Sequence, residues 1–392
     1  MRRAALIMLV ASICVGVSAL SGSAGASLGP VPDFAIPGST DFYLKECSKL
    51  PEARKRTCYI RKLLAEVEKT NNPARTLPRI DKDVHRNGGY LESNCHMFMH
   101  AVGRSWARRH GVTFENINRY VPRSNDPGCS AGFGMGLVMH LGAQIVLSPR
   151  SALRSCTRLP TRFREYTCIH GAGHALMRGY HGQLAGAVLA CTKLGPRFAA
   201  DCAQGTFHDY WISLSGGDGT TRPPEADTDP KSVCGRFAFP RPCWYRYFWE
   251  RQGYEWVGGV DGLVRLCGDF SGLQRAGCMG GASLLMARER ESADHALICA
   301  RLDPTDSLDC LRGVNVPVVA ANKFEQLRLF RTCAKFPQHA RHRCYAWFGK
   351  TLTVVTDGRF GRAVCPKLNV PDVRAACVAG ARRSDAALVT FS

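Results

Sequence analysis

Ten cysteines recur along this chain at intervals of 32 to 41 residues: Cys58, Cys95, Cys129, Cys168, Cys202, Cys243, Cys278, Cys310, Cys344 and Cys377. A period of this size marks a chain built from supersecondary units, each too small to bury its own apolar face. Such units must stack on their neighbours, so the period constrains the fold before any single residue is considered.

Eight of the ten have a partner 9 to 12 positions upstream, which gives the pairs Cys47–Cys58, Cys156–Cys168, Cys191–Cys202, Cys234–Cys243, Cys267–Cys278, Cys299–Cys310, Cys333–Cys344 and Cys365–Cys377. The first cysteine of a pair opens a phrase of the form Cys-x-Lys/Arg-Leu/Phe, closely followed by proline, as in Cys47 to Pro51, Cys156 to Pro160 and Cys333 to Pro337. Proline cannot continue a helix, so a helix is predicted to end before it. The basic residue then sits at the negative end of the helix dipole. The second cysteine is predicted to open a longer helix. In six units a glycine follows it three residues on, at Gly132, Gly171, Gly205, Gly281, Gly313 and Gly380. Glycine costs a helix about 1 kcal/mol against alanine, so its recurrence predicts a close approach of two helices. The fold expected is all-α: about ten disulfide-stapled helix-loop-helix repeats, stacked as a solenoid or a closed helical array.

The chain opens with Arg2 and Arg3, an apolar run from Ala4 to Val17, and small residues up to Ala26. This is the pattern of a secretory signal peptide, residues 1–26. Residues 27–40, rich in proline, read as a flexible lead-in, and residues 41–392 as the repeat domain. No later stretch is long and apolar enough to span a membrane. A secreted or periplasmic, extracytoplasmic location follows, and it favours disulfides over free thiols. Without Cys14 the cysteines number 18. No C-x-x-C occurs, which argues against zinc knuckles and haem attachment. No nucleotide fingerprint is present either.

Two units lack the first cysteine. Counting back 11 residues reaches Val84 from Cys95 and Asn118 from Cys129. Cys95 and Cys129 are therefore left over. They either bridge each other or remain as free thiols able to hold a metal.

The histidines concentrate in the same region. His96 and His100 follow Cys95, and His170 and His174 follow Cys168, each pair four residues apart and so on one helix face. His208 stands at the same offset from Cys202 as His174 from Cys168, while Met135 takes that offset after Cys129. Equal offsets on stacked helices would form a row. These five histidines are candidate ligands for a transition metal, with zinc or copper suited to imidazole and Met135 tilting toward copper. The competing reading makes them structural hydrogen-bonders. Asp209 and Glu250, each seven past its cysteine, are the carboxylates in register, able to orient a ligand histidine or to act as a catalytic base. No H-E-x-x-H occurs, which argues against a zinc protease of that type.

Residues 243–256 hold seven aromatics. Tyr245, Phe248, Trp249 and Trp256 have the spacing of a packed helix face, which explains the segment better than a ligand-stacking surface does. Residues 215–230 read as a surface loop whose carboxylates are more plausibly solvated than calcium-bound. The formal charge of +20 points to acidic partners, such as a protein or an anionic envelope polymer, and part of it is the recurring basic residue of the repeat phrase. The absence of any nucleic-acid motif argues against DNA or RNA.

In period and layout, over roughly residues 41–385, the chain resembles the cysteine-rich relatives of Sel1-like and tetratricopeptide arrays. That resemblance implies stacked helix pairs and a protein-binding role. The first functional reading is a metal site, with hydrolytic or oxidative chemistry as an extension; the second is a non-enzymatic binding scaffold.

Overall fold

The computed structural model describes residues 44–87, 89–124, 128–214, 223, 227–250, 260–289, 297–313, 331–355 and 359–382. Residues 1–26, expected to be a signal peptide, the 27–40 segment, Trp256 and most of the 215–230 loop lie outside the described residues. The described residues are helical and contain no strand.

Ten helices carry the second cysteines. They are α1 (Glu52–Glu68), α2 (Gly89–Arg109), α3 (Cys129–His140), α4 (Arg162–Gly179), α5 (Pro196–Leu214), α6 (Pro240–Glu250), α7 (Gly272–Glu289), α8 (Pro304–Arg312), α9 (Gln338–Val355) and α10 (Pro371–Arg382). Each packs against the next in chain order. α9 also touches α4, so the row bends back on itself.

All of these helices except α3, which begins at Cys129, start earlier than the cysteine. In α4, α5, α7, α8, α9 and α10 the first residue lies six before it, so the cysteine sits in the second turn. In α5, α8 and α10 the reason is the proline between the two helices. It ends one helix, and it also opens the next, because its fixed φ suits the first turn and its missing N–H is not needed there. Pro196, Pro304 and Pro371 are first residues of α5, α8 and α10. Asp303 caps α8 through the backbone N–H groups of Thr305 and Asp306, and Thr161 caps α4 through that of Arg164.

Nine disulfides close the frame. Eight join a short helix to the early turns of the following long one, with Cα atoms 5.4 to 5.8 Å apart. The ninth, Cys95–Cys129, staples α2 to α3 directly. Where the third unit lacks its first cysteine, Asp81 from the helix Pro73–Asn87 takes over. Its carboxylate accepts hydrogen bonds from the backbone N–H and the hydroxyl of Ser130, at the start of α3.

Glycine sets the spacing between the long helices. A Cβ on Gly205 of α5 would overlap the carbonyl oxygen of His170 on α4, and one on Gly173 of α4 would lie 2.8 Å from the Gly205 Cα. A Cβ on Gly132 of α3 would overlap the carbonyl of His96 on α2. The backbones therefore touch, closer than any side chain would permit. The recurring glycine is a packing requirement, and it brings whatever follows it on neighbouring helices together.

Around these contacts runs one continuous apolar core, with Trp106, Trp211, Trp244, Phe133, Phe207 and Phe248 fully enclosed. Of the aromatics with core spacing, Tyr245 and Phe248 on α6 are buried and Trp249 is half-buried, while Trp244 is buried beside them. Asp229 caps the short helix Pro230–Gly235, and Asp227 accepts from the Ser232 hydroxyl and pairs with Arg236. These two loop carboxylates are thus engaged locally.

Candidate metal centre

Contact between α4 and α5 places His170, His174 and His208 together. One ring nitrogen of each lies within 4.8 Å of the others. His174 Nε2 is 3.3 Å from His170 Nε2, which is 3.3 Å from His208 Nδ1. All three side chains are buried, at 1 %, 1 % and 3 % exposure.

The outer nitrogens are held by carboxylates. His174 Nδ1 is 3.1 Å from Asp209 Oδ1, and His208 Nε2 is 3.1 Å from Glu250 Oε1. A carboxylate accepts, so each of these nitrogens carries the proton. In the neutral ring the opposite nitrogen then bears a bare lone pair. Those lone pairs, on His174 Nε2 and His208 Nδ1, both face His170 Nε2. A single N–H of His170 could be shared between them only at 3.3 Å each, long for a hydrogen bond. Two of the three separations thus match the edge of a tetrahedron of imidazole nitrogens around zinc, about 3.3 Å for bonds of roughly 2.0–2.1 Å, and the third lies within 4.8 Å. His170 Nδ1 is buried without a hydrogen-bond partner.

Burial pulls the pKa of His100, His170 and His208 well below the usual imidazole range. The Arg246 charge lowers His170 and His208 further, and His96 adds to the effect on His100. Neutral imidazole is the form that binds metal.

His96 and His100 are near but separate. Their Nε2 atoms are 3.1 Å apart, and the His100 ring lies 5.3 Å from that of His174, centre to centre. Two imidazoles satisfy each other with one hydrogen bond, which three cannot do. Met135 does not join the histidines by its backbone: its Cα abuts the Gly171 position of α4. Elsewhere, histidines have ordinary work. His110 is 2.9 Å from Glu68 and stacks on Trp106, and His85 is 2.9 Å from Glu92.

Two members of the site escape a sequence reading. Arg246 of α6 is 3 % exposed, lies over the Trp249 ring at 3.8 Å, and has Nη1 3.7 Å from Glu250 Oε1. Trp249 in turn stacks on His208 with ring centres 5.5 Å apart. Arg246 stands three residues past Cys243, where six other units have glycine. Three further units also hold a large residue there, Arg61, Phe98 and Trp347, so the slot alone does not single out Arg246.

The fold and the site define an all-helical, disulfide-rich protein with a buried three-histidine cluster braced by two carboxylates. No model of a known protein family matches the chain, and neither a curated protein nor a solved structure is significantly similar to it.

Proposed function

We propose that this chain is an exported, disulfide-stapled array of ten stacked helical units that binds one transition-metal ion through His170, His174 and His208. Asp209 and Glu250 position two of the three rings. The observation that carries this reading is the convergence of two carboxylate-fixed lone pairs on a third imidazole at metal-ligand spacing. Carboxylate–histidine pairs of this kind orient ligand rings and raise their basicity. Both carboxylates are engaged with histidines, so they serve as positioning residues rather than as a free base.

Imidazole ligation suits zinc or copper. Three histidines leave a fourth position on a tetrahedral ion, where such an ion supplies Lewis acidity or an acidified bound water. Hydrolytic or oxidative chemistry is the extension of the reading. Export is supported by the amino-terminal charged and apolar pattern together with the nine disulfides. Among the described residues no helix is long and apolar enough to cross a membrane.

Elemental analysis of the purified, oxidised protein tests the site. One zinc or copper ion per chain is expected, lost in His208→Ala and retained in His181→Ala, with helical content unchanged by circular dichroism. No ion in the parent protein after reloading with either metal would remove the site. An activity screen on loaded protein, with His208→Ala as its blank, tests the catalytic extension.

A further inference from the structure

The three-histidine cluster is enclosed, so an ion can reach it only through the protein. Of the five histidines His96, His100, His170, His174 and His208, four are buried and His96 is half-buried. Their rings form an unbroken series. Centre to centre, His96 and His100 are 4.8 Å apart, His100 and His174 5.3 Å, His174 and His170 5.0 Å, and His174 and His208 4.7 Å. One end of the series is the cluster, and the other end reaches solvent at His96.

The outer end is built from groups that bind metals. Glu92, His96 and His100 recur at four-residue intervals along α2 and so share one face. Glu92, 28 % exposed, meets His85 of the helix Pro73–Asn87 at 2.9 Å. A carboxylate and two imidazoles thus line up from the surface inward. The Nε2 atoms of His96 and His100 are 3.1 Å apart. Both can therefore bind one ion through bonds of roughly 2.0–2.1 Å. Two imidazoles one helical turn apart are a recurrent way of holding a metal. This pair offers two ligands where the buried cluster offers three, so it holds an ion less firmly. Past His100 the next place on the same face is Arg104, whose charge bears on His100. A cation that continues along α2 meets a repelling group, whereas one that turns toward α4 meets the imidazole of His174.

We propose that His96 and His100 form an entry station, which captures a transition-metal ion from solvent and passes it by way of His174 to the buried three-histidine centre. The proposal rests on the metal reading of that centre. In capture, two Nε2 atoms replace two water ligands, and the ring that donated the hydrogen bond between them takes its proton on Nδ1. In transfer, the bond to His174 forms as the bond to His96 breaks, and the ion keeps its charge throughout. A station on the path lowers a barrier shared by entry and exit and leaves the binding equilibrium alone. Its removal therefore slows both directions by the same factor. Removing a side chain that merely covers the centre would speed both.

Stopped-flow mixing of cobalt(II) with the full chain, stripped of metal and with its disulfides intact, tests the proposal. Four-coordinate cobalt absorbs visible light far more strongly than the six-coordinate ion in water, so the band reports arrival at the centre. In His96→Ala the band is expected to appear tenfold or more slowly, and to fade on addition of EDTA more slowly by the same factor. The final affinity should stay within twofold of the parent. His96→Gln, which keeps the bulk of the side chain, should be slowed in the same way, and His181→Ala should load within twofold of the parent rate. Unchanged or faster loading in both His96 variants would overturn the proposal. Weaker equilibrium binding in both would also overturn it, since His96 would then be a ligand of the resting site. A parent protein that develops no band would instead remove the metal reading itself, and the entry station with it.

Discussion

An imidazole with one nitrogen held by a carboxylate has no choice about the nitrogen it offers. Asp209 and Glu250 impose that condition on His174 and His208. Replacing a partner of this kind typically lowers metal affinity about 10–100-fold. Asp209→Asn and Glu250→Gln are each expected to lie in that range while binding still saturates at one ion per chain, as measured by competition with a chelating dye. His96→Ala is expected to keep the ion, because His96 and His100 satisfy each other outside the three-nitrogen cluster; loss of metal in that variant would mean the site is larger than three ligands. Much of this was legible from spacing. The i, i+4 pairs, the register of His208 and the offsets of Asp209 and Glu250 all come from counting along the chain. Which histidine touches which does not, since it depends on the depth and rotation of α4 against α5. Arg246 is hidden for another reason: its slot holds glycine in six units and a large residue in three others, Arg61, Phe98 and Trp347, so its offset does not mark it.

At the scale of the helix, the controlling feature is the absence of side chains at the crossing of α4 and α5. A methyl group on Gly205 has no room beside the His170 carbonyl. Overpacking of this sort costs about 1–3 kcal/mol. Gly205→Ala is therefore expected to destabilise the protein in urea by an amount in that range. It should also loosen metal binding, because His208 rides on the helix that must move. Unchanged metal affinity in a destabilised protein would show that the cluster does not depend on the contact. The recurring glycine predicts this crossing from the sequence alone. The helix starts lie about a turn and a half before the cysteine that the sequence pattern takes as the opening, and in α5, α8 and α10 this is because the proline that ends one helix also opens the next.

For the molecule as a whole, the disulfides differ in what they constrain. Eight close short loops, whereas Cys95–Cys129 spans a sequence separation of 34. In the chain-entropy account a bridge of that span contributes about 4 kcal/mol, against about 3 kcal/mol for one closing a loop like that of Cys365–Cys377. Cys95→Ser/Cys129→Ser is expected to lower stability by more than Cys365→Ser/Cys377→Ser, read from urea midpoints at equal slope. The order in which the long helices meet follows from the cysteine period. The return contact of α9 on α4 does not, because a period fixes neighbours and leaves curvature to small rotations at each interface.

The thinness of α3 has a consequence for how such a chain can change. Gly132 and Gly136 let this helix lie flush against α2, at the carbonyls of His96 and His100, while Met135 meets Gly171 on its other side. The His100 ring can thus reach that of His174 although a whole helix is threaded between their parent helices. From α4 to α6, every member of the row contributes a group to the centre. Lineages of this protein could therefore lengthen or shorten it at either end, but within residues 162–250 duplication or loss of one unit would dismantle the centre in a single step.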